Sequence, residues 1–194
     1  MNTSRLEAFT DGVIAILITI MVLELRPPPG GDWAALRSIA PILLTYLLSF
    51  VVLGIYWNNH HHMLQVTDHV NGKILWANLH LLFWLSLVPF TTRWMYENHF
   101  EAVPTAVYGV DLLLAAVAYT VLQRTILASQ GERSRLAAAL GNDFKGWLSL
   151  ACYVVAIPLA FVERWLAVGL YVFVVLTWLV PDRRIESQLG GEGG

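Results

Sequence analysis

Arg5-Leu6-Glu7-Ala8-Phe9-Thr10-Asp11-Gly12-Val13-Ile14-Ala15-Ile16-Leu17-Ile18-Thr19-Ile20-Met21-Val22-Leu23-Glu24 is a charged entrance followed by an unbroken apolar run. A helix that crosses the hydrocarbon of a bilayer needs about 20 predominantly apolar residues. This stretch supplies them. It runs into Leu25-Arg26-Pro27-Pro28-Pro29 with no small-x-small cleavage site, so it reads as a permanent membrane helix, not a signal peptide. Outward from it, the chain holds six such stretches in all, at 6–25, 39–59, 74–95, 104–127, 146–162 and 165–181. The fold class they predict is an all-α membrane protein, one six-helix domain over 1–185 with a Gly-rich tail at 186–194.

Composition agrees. Of 194 residues, 57% are hydrophobic and only 13% charged, with a mean hydropathy of +0.59, whereas soluble domains carry about a quarter charged residues. Twelve Lys and Arg against fourteen Asp and Glu leave a net charge of −2. That balance offers no basic field for a phosphate backbone, which excludes nucleic acid as a partner. The lone Cys152 lies in an apolar run and reads as a small buried residue, since one cysteine builds no disulfide framework or CxxC site.

The connections are short: a Pro/Gly segment at 27–31, polar turns at Asp68–Gly72 and Tyr96–Glu101, the longest loop at Ser129–Lys145, and a tight Glu163-Arg164 turn. Cytoplasmic loops carry the excess of Lys and Arg. With the amino terminus inside, Arg5, Lys73, Arg124, Arg133, Arg135, Lys145, Arg183 and Arg184 share the inner side, against Arg26, Arg37, Arg93 and Arg164 outside. Both termini are therefore expected in the cytoplasm, in a multi-pass plasma-membrane protein. The 5–24 pattern does not recur, so no internal repeat is expected.

Within the first stretch, steps of about 100° per residue bring Ile16, Ile20 and Leu23 within about 60° of one another, with Gly12 and Thr19 flanking them. Asp11 points about 140° away from Ile16, toward neighbouring helices. Such a stripe can serve packing, lipid contact or a pore. The second stretch ends in Trp57-Asn58-Asn59-His60-His61-His62. Three adjacent helical positions cannot converge on one metal ion, because helical metal pairs sit at i,i+3 or i,i+4. Two readings remain: an interfacial belt, or a hydrogen-bonding, pH-sensitive imidazole at His60 or His61. The third stretch sets Trp76, His80 and Trp84 at i+4 steps beside Asn78, so a polar cluster of Asp11, His60 or His61, Asn78 and His80 is expected. Asp111 in the fourth stretch reads as a structural hydrogen bond, a water-facing group or a proton relay. No GxSxG, HExxH, Walker loop or TVGYG filter is present.

Arg5-x-x-x-Phe9-Thr10-Asp11 resembles the RxxxFSD signature of the transmembrane protein 175 family of potassium channels, with threonine in place of serine. Gly12–Thr19, Tyr56-Trp57-x-x-His60-His61 and Leu85–Thr92 also look like its bacterial branch. The resemblance implies a homotetramer of six-helix subunits in a lipid bilayer, passing monovalent cations through a central pore lined by the first helix. It makes Ile16 the hydrophobic constriction, Ile20 and Leu23 further narrow layers, and Thr19 a hydroxyl beside the filter. Arg5, Phe9, Thr10 and Asp11 would lock the first helix and shape the inner vestibule, partnered by Trp57, His60 or His61, and Asn78. It implies no enzyme activity, no cofactor and no bound metal, with potassium only as the permeant ion. Two other classes compete: a metal or haem enzyme using His60–His62, His69, His80 and His99, and a proton-coupled transporter using Asp11, His80 and Asp111.

Overall fold

The computed structural model describes residues 3–67, 69–130 and 144–179, and every element in them is helical. In chain order these are α1 (Thr3–Leu23), α2 (Trp33–Ser38), α3 (Ala40–Gln65), α4 (Gly72–Glu97), α5 (Ala102–Gln130), α6 (Phe144–Leu159) and α7 (Arg164–Leu179). The short α2 was not expected from hydropathy, because six residues carry no usable period. Its start is set instead by Asp32, whose carboxylate accepts from the Ala35 N–H at 2.8 Å. Asn71 caps α4 in the same way on Ile74, at 3.0 Å. Pro41 enters the first turn of α3, where a missing N–H is harmless.

Four helices, α1, α3, α4 and α5, are long and apolar enough to cross a membrane. The last two apolar stretches form α6 and α7, of 16 residues each. At about 1.5 Å per residue the described part of each spans roughly 24 Å. α3 runs on to Gln65, and His60–His62 lie in its last turns, at the end of the second stretch as expected. Arg133 and Arg135 in the longest loop, Arg183 and Arg184, and the tail at 186–194 lie outside the described residues.

α1 packs on α3 and α4; α4 runs along α5; α5, α6 and α7 form the other side, with α7 returning to α3. Two apolar cores result. One joins Leu6, Ile14, Leu17 and Met21 of α1 to Leu53, Leu81, Leu85 and Leu122. The other centres on Tyr108, Leu112, Tyr153, Ala156 and Tyr171. Tyr171 lies against α5 only because position 109 is glycine: a Cβ there would overlap its hydroxyl and ring. That approach lets the Tyr171 hydroxyl donate to the Thr105 carbonyl at 3.0 Å.

Candidate functional site: the first helix and its ties

α1 has two faces. Leu6, Thr10, Ile14, Leu17 and Met21 are buried against α3 and α4. About 130° round the helix, by steps of 100° per residue, lies a second face that the chain's own helices leave uncovered. Phe9 is 52% exposed, Ile16 57%, Ile20 42% and Leu23 81%. Arg5, Gly12 and Thr19 are exposed on the same face. Nothing lies within 4 Å of where a Gly12 side chain would start. The Thr19 hydroxyl donates to the Ile16 carbonyl at 2.9 Å, which occupies its proton and leaves its oxygen lone pairs free to face outward.

In lipid, apolar surfaces have little reason to prefer one another over acyl chains, so helices are fixed by close packing and by hydrogen bonds across them. Three such ties hold the N-terminal half of α1. The Thr10 hydroxyl, fully buried, accepts from Asn78 Nδ2 at 2.9 Å. Asn78 Oδ1 in turn accepts from His60 Nε2 at 2.8 Å, so one amide bridges α1, α4 and α3. The Asp11 carboxylate accepts from Trp57 Nε1 at 3.0 Å. Glu7 accepts from His61 Nδ1 at 2.6 Å, and Gln65 Nε2 donates to the other ring nitrogen of His61 at 2.8 Å. Trp57 and His61, one turn apart on α3, stack at 6.2 Å between centroids. At the other end, Glu24 just beyond α1 meets Arg93 of α4 at 3.6 Å, and Arg93 also bonds Glu97 at 2.9 Å.

The structure thus brings Thr10, Asp11, Trp57, His60, His61 and Asn78 together, with His60 on the amide and His61 on the carboxylate. Arg5 and Phe9 are not in this cluster; they lie on the exposed face with Ile16. His80, expected in the cluster, is outside it: its ring is exposed and accepts from Trp84 Nε1 at 3.0 Å one turn along. Two helical steps, about 200°, separate His80 from Asn78, and Asn78 has the inward direction. Gln65 and Glu7 were not paired with His61 in advance, although both sit among polar neighbours at the ends of apolar runs. The Arg93–Glu24 pair gave no signal, because the two residues are far apart in sequence.

The constellations of the other two classes do not converge. Asp11 is on Trp57, His80 on Trp84, and Asp111 on Thr91 at 2.9 Å, in three separate places. Among the described residues, no three of His, Cys, Asp and Glu gather as metal ligands would.

The family model described as endosomal/lysosomal potassium channel TMEM175 matches residues 5–89, the region that contains α1, α3 and most of α4. A potassium channel of Chryseobacterium sp. strain P1-3 is 52% identical, over 97% of this chain and 98% of that protein. A potassium channel of Chamaesiphon minutus is 32% identical, over 87% of this chain and 89% of that protein. Among solved structures, the crystal structure of a lysosomal potassium-selective channel TMEM175 homolog from Chamaesiphon minutus superposes with a TM-score of 0.79 at 28% identity. That match covers 94% of this chain and 97% of the other.

Proposed function

The chain belongs to the TMEM175 family of potassium channels, and from that premise we propose how it conducts: as a homotetramer whose four α1 helices line a central pore. The protein is an ion channel and not an enzyme. The observation that carries the pore reading is the uncovered stripe of α1. Its packed face is satisfied within one chain, while Phe9, Ile16, Ile20 and Leu23 are left outside. Four copies around an axis turn that stripe into stacked rings.

Ile16 forms the narrowest ring, with Ile20 and Leu23 as further layers and Thr19 as a ring of hydroxyl oxygens beside it. Arg5 and Phe9 shape the inner vestibule, while Thr10 and Asp11 hold α1 in register through Asn78 and Trp57. An isoleucine ring offers no oxygen to replace lost water ligands, so an ion passing it is partly dehydrated at a cost. Potassium holds its water less tightly than sodium and is favoured. A barrier difference of about 1.4 kcal/mol gives tenfold discrimination, so selectivity is modest. The same ring closes the pore when it dewets, making filter and gate one structure. α6 and α7 complete six spans per subunit; both termini are cytoplasmic and the channel sits in the plasma membrane. Potassium is cargo, and no cofactor takes part.

The test is cation flux into liposomes containing the purified protein, with potassium and with sodium as the driving ion, for wild type and Ile16→Asn. Wild type is expected to pass potassium faster. In Ile16→Asn a wetted ring is expected to bring the two rates together. An unchanged ratio in a folded, assembled Ile16→Asn protein rejects Ile16 as the filter.

A further inference from the structure

A second polar cluster lies away from α1, where α3, α4 and α5 meet. Asp111 of α5 is 3% exposed. Its Oδ2 is 2.9 Å from the Thr91 hydroxyl, and its Oδ1, also buried, has no hydrogen-bond partner among the described residues. None of the ion pairs among the described residues includes it. The titratable groups near enough to act on it electrostatically are phenols, Tyr56 of α3 and Tyr108 one turn earlier on its own helix; from α4 the Thr91 hydroxyl meets it. A carboxylate in this setting would be a charge at membrane depth with one neutral donor, which is among the costliest arrangements a membrane helix can hold.

Hydrogen counting decides how the contact is made. Thr91 Oγ1 lies 2.9 Å from Asp111 Oδ2, 3.2 Å from the Leu87 carbonyl and 3.3 Å from the Val88 carbonyl. It has one proton and three neighbouring oxygens. If Asp111 is ionised, Thr91 gives that proton to it, and the acid's other oxygen remains charged and bare. If Asp111 is protonated, its O–H donates to Thr91 Oγ1 and Thr91 donates onward to the backbone of α4. The only atom then left unpaired is a neutral carbonyl oxygen. The second pattern uses every proton and leaves no buried charge.

We propose that Asp111 is a proton-binding site: a neutral carboxylic acid whose O–H, donated to Thr91, latches α5 to the part of α4 beyond Pro89. Pro89 has no N–H to offer the Leu85 carbonyl, so α4 lacks a helical bond one turn before the latch. The cross-helix bond from Asp111 holds α4 where its own ladder is interrupted. Removing the proton leaves a buried carboxylate and takes the Thr91 proton away from the α4 backbone. This inference does not depend on whether α1 lines the pore.

Infrared difference spectroscopy of the full-length protein in liposomes at near-neutral pH, wild type minus Asp111→Asn, tests it. The expected result is a carbonyl stretch of a protonated carboxylic acid in wild type that Asp111→Asn removes. Thr91→Val should shift that band without abolishing it, because the acid stays protonated but loses its acceptor. Thermal stability should fall for wild type as pH is raised through loss of this proton and stay flat for Asp111→Asn over the same range. A wild-type spectrum with no protonated-acid band lost on substitution overturns the proposal. So does failure of Asp111→Asn to fold, since the amide keeps both the shape and the neutrality of the acid.

Discussion

The bundle carries two polar clusters built from similar residues, and they solve opposite problems. Along α4, Asn78 in the first and Thr91 in the second are 13 residues apart, which is about 20 Å of helix. The first cluster joins α1 to α3 and α4, and its carboxylates, Glu7 and Asp11, are only partly buried and each meet an N–H donor. The second cluster joins α3, α4 and α5 through hydroxyls: Ser49 bonds Thr92 at 2.7 Å and Tyr108 at 3.1 Å, beside the buried Asp111–Thr91 contact. Where indoles and imidazoles supply protons, a carboxylate near the membrane edge finds an N–H donor. Where its one partner is a hydroxyl, the acid has to bring its own proton. Position relative to α1 differs as well. The first cluster sets the angle of the helix that carries Ile16, and the second stiffens the scaffold behind it.

That division can be broken in graded steps. Asn78→Ala is expected to have the largest effect. It strips the buried Thr10 hydroxyl and His60 Nε2 of their shared partner at once, and should cost about 2 kcal/mol or more. Denaturant titration in detergent reads the stability, and liposome flux should fall with it because α1 loses its register. A stability within error of wild type would show that the Thr10–Asn78–His60 bridge is ornamental. Ser49→Ala comes next. It removes the hub shared by Thr92 and Tyr108 and should cost about 1 kcal/mol. The potassium-to-sodium flux ratio should stay at the wild-type value, because this cluster does not touch α1; a changed ratio would erase the distinction between scaffold and pore helix. Glu7→Gln is the mildest. The Glu7–His61 pair is a quarter to a third exposed and screened by solvent, so about 0.5 kcal/mol or less is expected, shrinking further in high salt. A larger, salt-independent loss would mean that the edge of the first cluster is as tightly held as its centre.

Much of the first cluster was legible in sequence. Asp11 and Asn78 break apolar runs, and a polar group in such a run needs a partner; Thr10 and Trp57 entered through the family resemblance. The choice between His60 and His61, and the exclusion of His80, were not legible. Each turns on a rotation of one or two residues about the helix, which hydropathy averages away. In the second cluster Asp111 drew notice by itself, and Thr91 and Thr92 only as part of the Leu85–Thr92 stretch. Ser49 and Tyr108 did not, because a lone hydroxyl can also satisfy itself on its own helix, as Thr45 does on the Pro41 carbonyl. Gly109 was equally silent until Tyr171 was found lying across it.

The sequence alone determined that this chain is a helical membrane protein, where its apolar helices begin and end to within a few residues, and which stripe of α1 is apolar. Those properties follow from the length of the hydrocarbon layer and the 100° step of the helix, both local to a single segment. Tertiary structure decided which face of α1 is packed and which is left uncovered, which histidine meets which partner, and that Asp111 is buried against the Thr91 hydroxyl. These depend on the rotation of each helix against its neighbours. In a bilayer that rotation is set by a few cross-helix hydrogen bonds and by shape, not by a hydrophobic pattern that lipid satisfies equally well on every side.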